Sequence, residues 1–185
     1  MSPFASGKQL VGLIRQEQTG TSLQDQVSRL FEEARDDIYR YLLTLGLYPP
    51  QAQEAAQEVF LRLYVTLRKG EEIQNPRAWI FRVAHNLGLK IRARQHSEEP
   101  FSPEFTAAPY SGKAETPESE LLERERMTRF HAAVQGLSEQ QRRCLFLRME
   151  GLRYPEIGST LGISASAVGE FLRRAMVRLK KVRDE

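Results

Sequence analysis

With 185 residues, the chain has room for one domain or two small ones, and its 41% hydrophobic and 28% charged content is that of an ordinary globular protein. One cysteine, Cys144, excludes an intramolecular disulfide and a cysteine-based metal cluster. No apolar run approaches the roughly 18 residues of a membrane span and no secretory leader opens the chain, so the expected location is the cytoplasm, with no membrane insertion. Net charge is only +3, but it is sorted: Arg173 to Arg183 holds six basic residues and no acid, while Ser97 to Glu120 holds six acids and one lysine.

Residues 1–22 are mixed in character, with Pro3, Gly7, Gly12 and Gly20, and read as an N-terminal extension with at most a short helix over Lys8–Gln16. From Leu23 to Leu45 apolar residues recur at threes and fours (Val27, Leu30, Ala34, Ile38, Tyr41), until Gly46 and Pro49-Pro50 stop them. A second helix is expected from about Gln51 to Arg68, with Ala55, Val59, Phe60, Leu63 and Leu67 inward. Gln53, Glu54, Gln57, Glu58 and Arg62 line its other side, and Lys69-Gly70 closes it. Asn75 then caps a third helix that has Pro76 in its first turn. Trp79, Ile80, Val83, Ala84, Leu87 and Ile91 form its inward stripe. Arg77, Arg82, His85, Asn86, Lys90, Arg92 and Arg94 are left for the other faces. The stripe makes Trp79 a core residue rather than a stacking platform. His85, with no partner ligands clustered near it, reads as a surface or DNA-facing side chain rather than a metal ligand. Strand alternation is absent, so the fold class is all-α, with a first helical domain over 23–95.

Residues 96–117 read as an acidic, proline-rich linker containing Pro100, Pro103, Pro109 and Pro117. A second helical domain follows over 118–185. Its first helix runs to about Gln135, with Leu121, Leu122, Met127, Phe130 and Val134 inward, and Gly136 ends it. Ser138 and Gln141 suit a capping box for the next, which carries Cys144, Leu145, Leu147 and Met149 to Glu150. Leu152 to Lys181 then reads as helix, tight turn, helix. Pro155 opens the first helix, Gly162 ends it, and Ser164 and Ser166 each offer a cap to the second. Val168, Leu172, Ala175 and Leu179 stripe that helix; Arg173, Arg174, Arg178, Lys180 and Lys181 fill its other faces. Two short helices around a glycine turn, the second basic, match a DNA-binding helix-turn-helix, whose second helix enters the major groove. An ordinary helical hairpin with a solvated basic face has the same pattern.

Three segments carry a family resemblance. Gln51–Tyr64 (QAQEAAQEVFLRLY) resembles region 2.2 of bacterial sigma factors of the sigma-70 family, extracytoplasmic-function type. Asn75–Arg94 (NPRAWIFRVAHNLGLKIRAR) resembles regions 2.3–2.4, and Leu137–Ser164 (LSEQQRRCLFLRMEGLRYPEIGSTLGIS) regions 4.1–4.2. The resemblance implies a protein that binds RNA polymerase core, at the β′ coiled coil and the β flap, recognises promoter −10 and −35 elements, and helps melt the −10 DNA. It implies a core-docking face of Glu54, Gln57, Glu58 and Leu61. For the −10 strand, where a flipped base needs a pocket, it implies Lys69, Asn75, Arg77, Arg82, Asn86, Lys90 and Arg94. For the −35 duplex it implies Ser164, Ser166, Glu170, Arg173, Arg174 and Arg178. The linker would thread toward the polymerase channels, its acids mimicking nucleic acid. An anti-sigma factor is an expected partner. Nothing implies a catalytic centre, cofactor or metal.

The recognition helix departs from the family pattern. The family usually has Val, a basic residue, Ser or Thr, and Arg; here Val168 is followed by Gly169, Glu170 and Phe171. Glu170 reading a cytosine amino group would alter the −35 sequence. Phe171 would touch thymine methyls or a protein partner. Otherwise the helix binds DNA weakly, through arginines on phosphate. Altered specificity is the favoured reading. Gln53-Glu54 stands where the family prefers an acidic pair, a small change for docking. The alternatives to a promoter-specificity subunit are a sigma-like adapter acting through protein partners and a dimeric helix-turn-helix repressor. Asn75–Arg94 argues against the repressor, which has no use for a strand-opening helix.

Overall fold

The computed structural model describes the backbone of residues 7–95 and 117–184, and the side chains of 23–95 and 124–181. The described residues form seven helices and no strand: α1 (Gly7–Thr44), α2 (Pro49–Arg68), α3 (Pro76–Gln95), α4 (Pro117–Gln135), α5 (Glu139–Met149), α6 (Tyr154–Leu161) and α7 (Ala165–Asp184). The expected linker lies outside the described residues except for Pro117, which opens α4. The side chains of Leu121 and Leu122 lie outside them as well.

α1 is one helix of 38 residues, so the expected start at Leu23 and the separate short helix before it are both replaced by a single element. Gly12 and Gly20 each cost a helix about 1 kcal/mol. That does not halt propagation from a nucleus held by packing further along the chain. α2 begins at Pro49 rather than Gln51, because both prolines sit in its first turn, where a missing N–H breaks no bond.

The first three helices form one bundle. Ala34, Ile38, Tyr41 and Leu42 of α1, and Leu45 just past its end, are fully buried, as their spacing requires. Phe31 meets Phe60 of α2 edge-on at 5.0 Å, and Tyr41 meets Phe81 of α3 at 5.6 Å. Burying a phenylalanine as completely as Phe81 is worth about 1.5–3 kcal/mol. α3 buries more than the single stripe expected of it, because α1 and α2 cover one side and α6 another. His85 lies against Tyr41 of α1, within reach of the charges of Arg143 and Glu139. The expectation of a surface or DNA-facing His85 is therefore wrong: it is 4% exposed, with Tyr41 Oη 2.9 Å from its Nδ1. Burial, aided by the Arg143 charge, pushes its pKa down to about 4. It is a neutral core imidazole satisfied by a phenol.

α5, α6 and α7 form the second unit around Cys144, Leu147, Leu152, Ile157, Val168 and Leu172, with α4 laid on α7. Ser138 Oγ accepts from the Gln141 N–H at 3.3 Å while the Gln141 side chain accepts from the Ser138 N–H at 2.9 Å, completing the capping box. Val134 is buried as expected, but Phe130, also expected inward, is 44% exposed and Ala133 is buried in its place; Met149, the last residue of α5 and likewise expected inward, is 77% exposed. Between α6 and α7 the chain turns at Gly162, whose φ of 69° is the left-handed conformation that glycine takes without strain. Gly158 permits the tightness of that turn: a Cβ there would lie 2.6 Å from the Ile163 carbonyl oxygen.

The two units also pack on each other. α3 faces α6, Tyr41 and Phe146 pack with ring centroids 5.3 Å apart and planes tilted by 40°, and the two cores form one contiguous cluster.

Candidate nucleic-acid interface

Glu54, Gln57, Glu58 and Leu61 fall at i, i+3, i+4 and i+7, so α2 presents them on one outer face. Leu61 is 58% exposed, an apolar group in water with acids and amides around it. Val65, a turn further on, is also exposed and extends the patch; it was not among the sequence candidates. Arg62 holds Glu58 at 2.7 Å, an exposed pair worth little to stability.

The −10 candidates divide into two sets. Arg82, Asn86, Lys90 and Arg94 follow one another at intervals of four along the exposed side of α3, and the three cations make no ion pair among the described residues. Lys69, at the end of α2, is exposed as well. Asn75 and Arg77 instead turn toward the second unit. Asn75 Oδ1 accepts from the Ala78 N–H at 3.1 Å, which is the expected cap, and its Nδ2 donates to Glu156 at 2.7 Å. Arg77 donates to Asp37 at 2.8 Å, to the Glu150 carbonyl at 2.9 Å and to the Glu150 carboxylate, with its guanidinium over the Phe81 ring. Burial works against charge on Asp37, but hydrogen bonds from Arg77 and Arg40 outweigh it and hold its carboxyl below the usual range. Burial, then the neighbouring Asp37 charge, pushes Glu150 up.

Beside these groups lies a cleft of about 520 Å³. Gln74, Asn75, Trp79 and Arg82 form one wall, and Pro155, Glu156 and Ser159 of α6 help form the other. Trp79 is half-buried: it packs on the core, as expected, and also lines this cleft. The loop after α2, with α3 and α6, thus builds a concavity that sets Trp79, two amides and the Arg82 cation beside the carboxylates of Glu71, Glu72 and Glu156; the aromatic and the amides are groups that can hold an unstacked base.

On α7, Ser164 Oγ accepts from the Ala167 N–H at 3.1 Å and is the cap; Ser166 lies exposed within the first turn. Glu170 accepts from Arg173 at 2.9 and 3.0 Å and from Arg174 at 2.7 Å. Those bonds, Arg173 first, hold its carboxyl down at about 2. The Arg178 guanidinium lies against Gly136 in the turn between α4 and α5. Phe171 is half-buried against the core. Three of the six −35 candidates therefore engage one another, and Glu170 offsets one of the two arginine charges beside it.

Comparison with known proteins places both units. A model of sigma-70 region 2 matches residues 30–98, and a model of sigma-70 region 4 matches residues 127–179. The ECF RNA polymerase sigma factor SigM of Bacillus subtilis is 23% identical over 155 residues, covering 83% of this chain and 93% of that protein. The RNA polymerase sigma-H factor of Pseudomonas aeruginosa is 29% identical over 139 residues, covering 71% and 72%. Among solved structures, the sigma factor RpoE of Bartonella quintana, in complex with the anti-sigma factor NepR, superposes with a TM-score of 0.61 at 18% identity over 85% of this chain and 96% of that one. No described helix is long and apolar enough to cross a membrane. With regions 2 and 4 matched in order on its two helical units, the chain belongs to the sigma-70 family as a sigma factor of the extracytoplasmic-function type, a promoter-recognising initiation factor of RNA polymerase and not an enzyme.

Proposed function

We propose that the first unit works through two different faces. The outer face of α2, with Glu54, Gln57, Glu58 and Leu61, docks on the β′ coiled coil of core polymerase. The α3 line Arg82–Asn86–Lys90–Arg94, with Lys69, Asn75, Arg77 and the cleft beside Trp79, takes the melted −10 strand. The observation that carries this division is the pairing of an exposed leucine among acids and amides on α2 with an unpaired cationic line on α3. An apolar centre with a polar rim suits a protein partner, and spaced cations with a flat aromatic suit a single strand. The domain limits follow: 23–95 for melting and docking, 118–185 for the β flap and the −35 duplex, 1–22 and 96–117 outside both. Altered −35 specificity remains the preferred reading of Glu170.

The cytoplasm, where core polymerase works, is the proposed location. An anti-sigma factor is the proposed inhibitor, by analogy with the RpoE–NepR complex. Run-off transcription with core polymerase tests the whole reading. It expects a defined start site and a permanganate-reactive bubble, lost on Arg82→Ala/Lys90→Ala substitution; transcription that ignores that substitution refutes the α3 assignment.

A further inference from the structure

Glu170 occupies the middle of the face that α7 turns outward. Val168, Leu172 and Ala175 are buried, and Glu170 stands on the opposite side of the helix, with Arg173 and Arg174 one turn on and to either side of it. The three side chains are 43%, 64% and 59% exposed. The two arginines are not held alike. Arg173 donates from Nε to one carboxylate oxygen at 3.0 Å and from Nη2 to the other at 2.9 Å, and two parallel bonds fix the plane of its guanidinium. Arg174 donates from Nε alone, at 2.7 Å, and a single bond leaves its plane able to rotate. The grip on Arg173 uses the Nε edge and leaves the terminal edge, Nη1 with the second Nη2 N–H, open. That edge has the two-pronged geometry that a guanine answers with O6 and N7. Gly169, a turn before Arg173 on the same side, puts no side chain beside it; the Tyr154 ring lies there instead, 3.5 Å from where a Cβ would stand.

We infer that Glu170 is a positioning residue for the −35 duplex: it presets Arg173 to read one guanine through its terminal edge and reads no base itself. The inference rests on the assignment of α7 to the −35 duplex and gives the altered specificity a mechanism. A carboxylate on the face that meets DNA lowers affinity for every sequence alike. Against that, an arginine already held in place loses less rotamer freedom when it meets a base. Arg174, held by one bond, supplies a phosphate contact.

The test uses the full chain and a pool of fluorescein-labelled DNA duplexes with about ten central base pairs randomised. Bound duplexes are sequenced, and binding of the unselected pool is read by anisotropy. Wild type should enrich guanine at one position about tenfold. Glu170→Gln should abolish that preference while binding the unselected pool at least as tightly as wild type. Arg173→Lys, which keeps the charge and loses the fork, should abolish the same preference. Glu170→Gln/Arg173→Lys should lose no more than either change alone, because both remove one interaction. Should Glu170→Gln lose helicity, Glu170→Asp, which draws the carboxylate one methylene back from Arg173, is measured under the same criteria. The positioning is overturned if the Glu170 variant keeps the guanine preference, or if it loses a preference at a base pair where Arg173→Lys retains it. A wild type that enriches no base pair also overturns it. If, in addition, Arg173→Ala/Arg174→Ala binds the pool as tightly as wild type, the assignment of α7 to the duplex fails with it.

Discussion

Acidification should destabilise this chain through one buried histidine. His85 has an ordinary pKa of 6.5 that burial lowers to about 4 in the folded chain. Between those values the unfolded chain binds a proton that the folded chain refuses, so stability falls as pH falls. The slope approaches about 1.4 kcal/mol per pH unit midway between the two values, giving a loss of about 2 kcal/mol from pH 6.5 to 4.5 and only a few tenths above pH 6.5. Asp37 and Glu139 are held below the usual carboxylate range, so their stabilising contribution is present at neutral pH and fades at lower pH than this window. His85→Gln removes the titration and keeps an amide in reach of the Tyr41 hydroxyl. Urea unfolding, followed by far-UV circular dichroism and Trp79 fluorescence between pH 7 and pH 4.5, measures the difference between the two proteins, in which other groups cancel. Wild type should lose about 2–3 kcal/mol more than the variant. Parallel stability curves would refute the buried, neutral imidazole.

Other expectations follow from single contacts. Leu61→Glu, at an exposed position, should leave helicity unchanged and weaken association with core polymerase about tenfold or more in a pull-down titration; unchanged binding removes α2 from the docking face. Gly158→Ala drives a Cβ against the Ile163 carbonyl and should cost about 1–3 kcal/mol, read as a lower thermal midpoint. An unaltered midpoint would mean that the α6–α7 turn yields at no cost. Glu170→Gln releases Arg173 and Arg174, so affinity for random-sequence duplex DNA should rise and the slope of log affinity against log salt should steepen by about 1–2. A flat response would show that those arginines do not reach phosphate.

What could be read in advance follows the physics of each element. α1 and α2 each bury one stripe, so Ile38, Leu42, Val59 and Leu63 were legible from spacing alone. Caps are local, and Asn75, Ser138, Ser164 and Gly162 stand where their chemistry required. α3 was half legible, since a helix covered on two sides carries two stripes. Phe81, His85 and Gly88 lie at helical spacing and were the available signal for the second. Apolar identity overstated burial at Phe130 and Met149, because folded surfaces keep many apolar groups. The Asn75–Glu156 and Arg77–Glu150 contacts were out of reach: they join segments far apart in the chain, and no periodicity links such residues.

The lone thiol of Cys144 has no accessible surface, and burial pushes its pKa up to about 11. At neutral pH almost none of it is thiolate, the form that reacts with disulfides, peroxides and maleimides. In the folded chain Cys144 is therefore a packing group and not a reactive thiol. A cysteine engineered at any exposed position would in turn be the single site that a dye or spin label modifies.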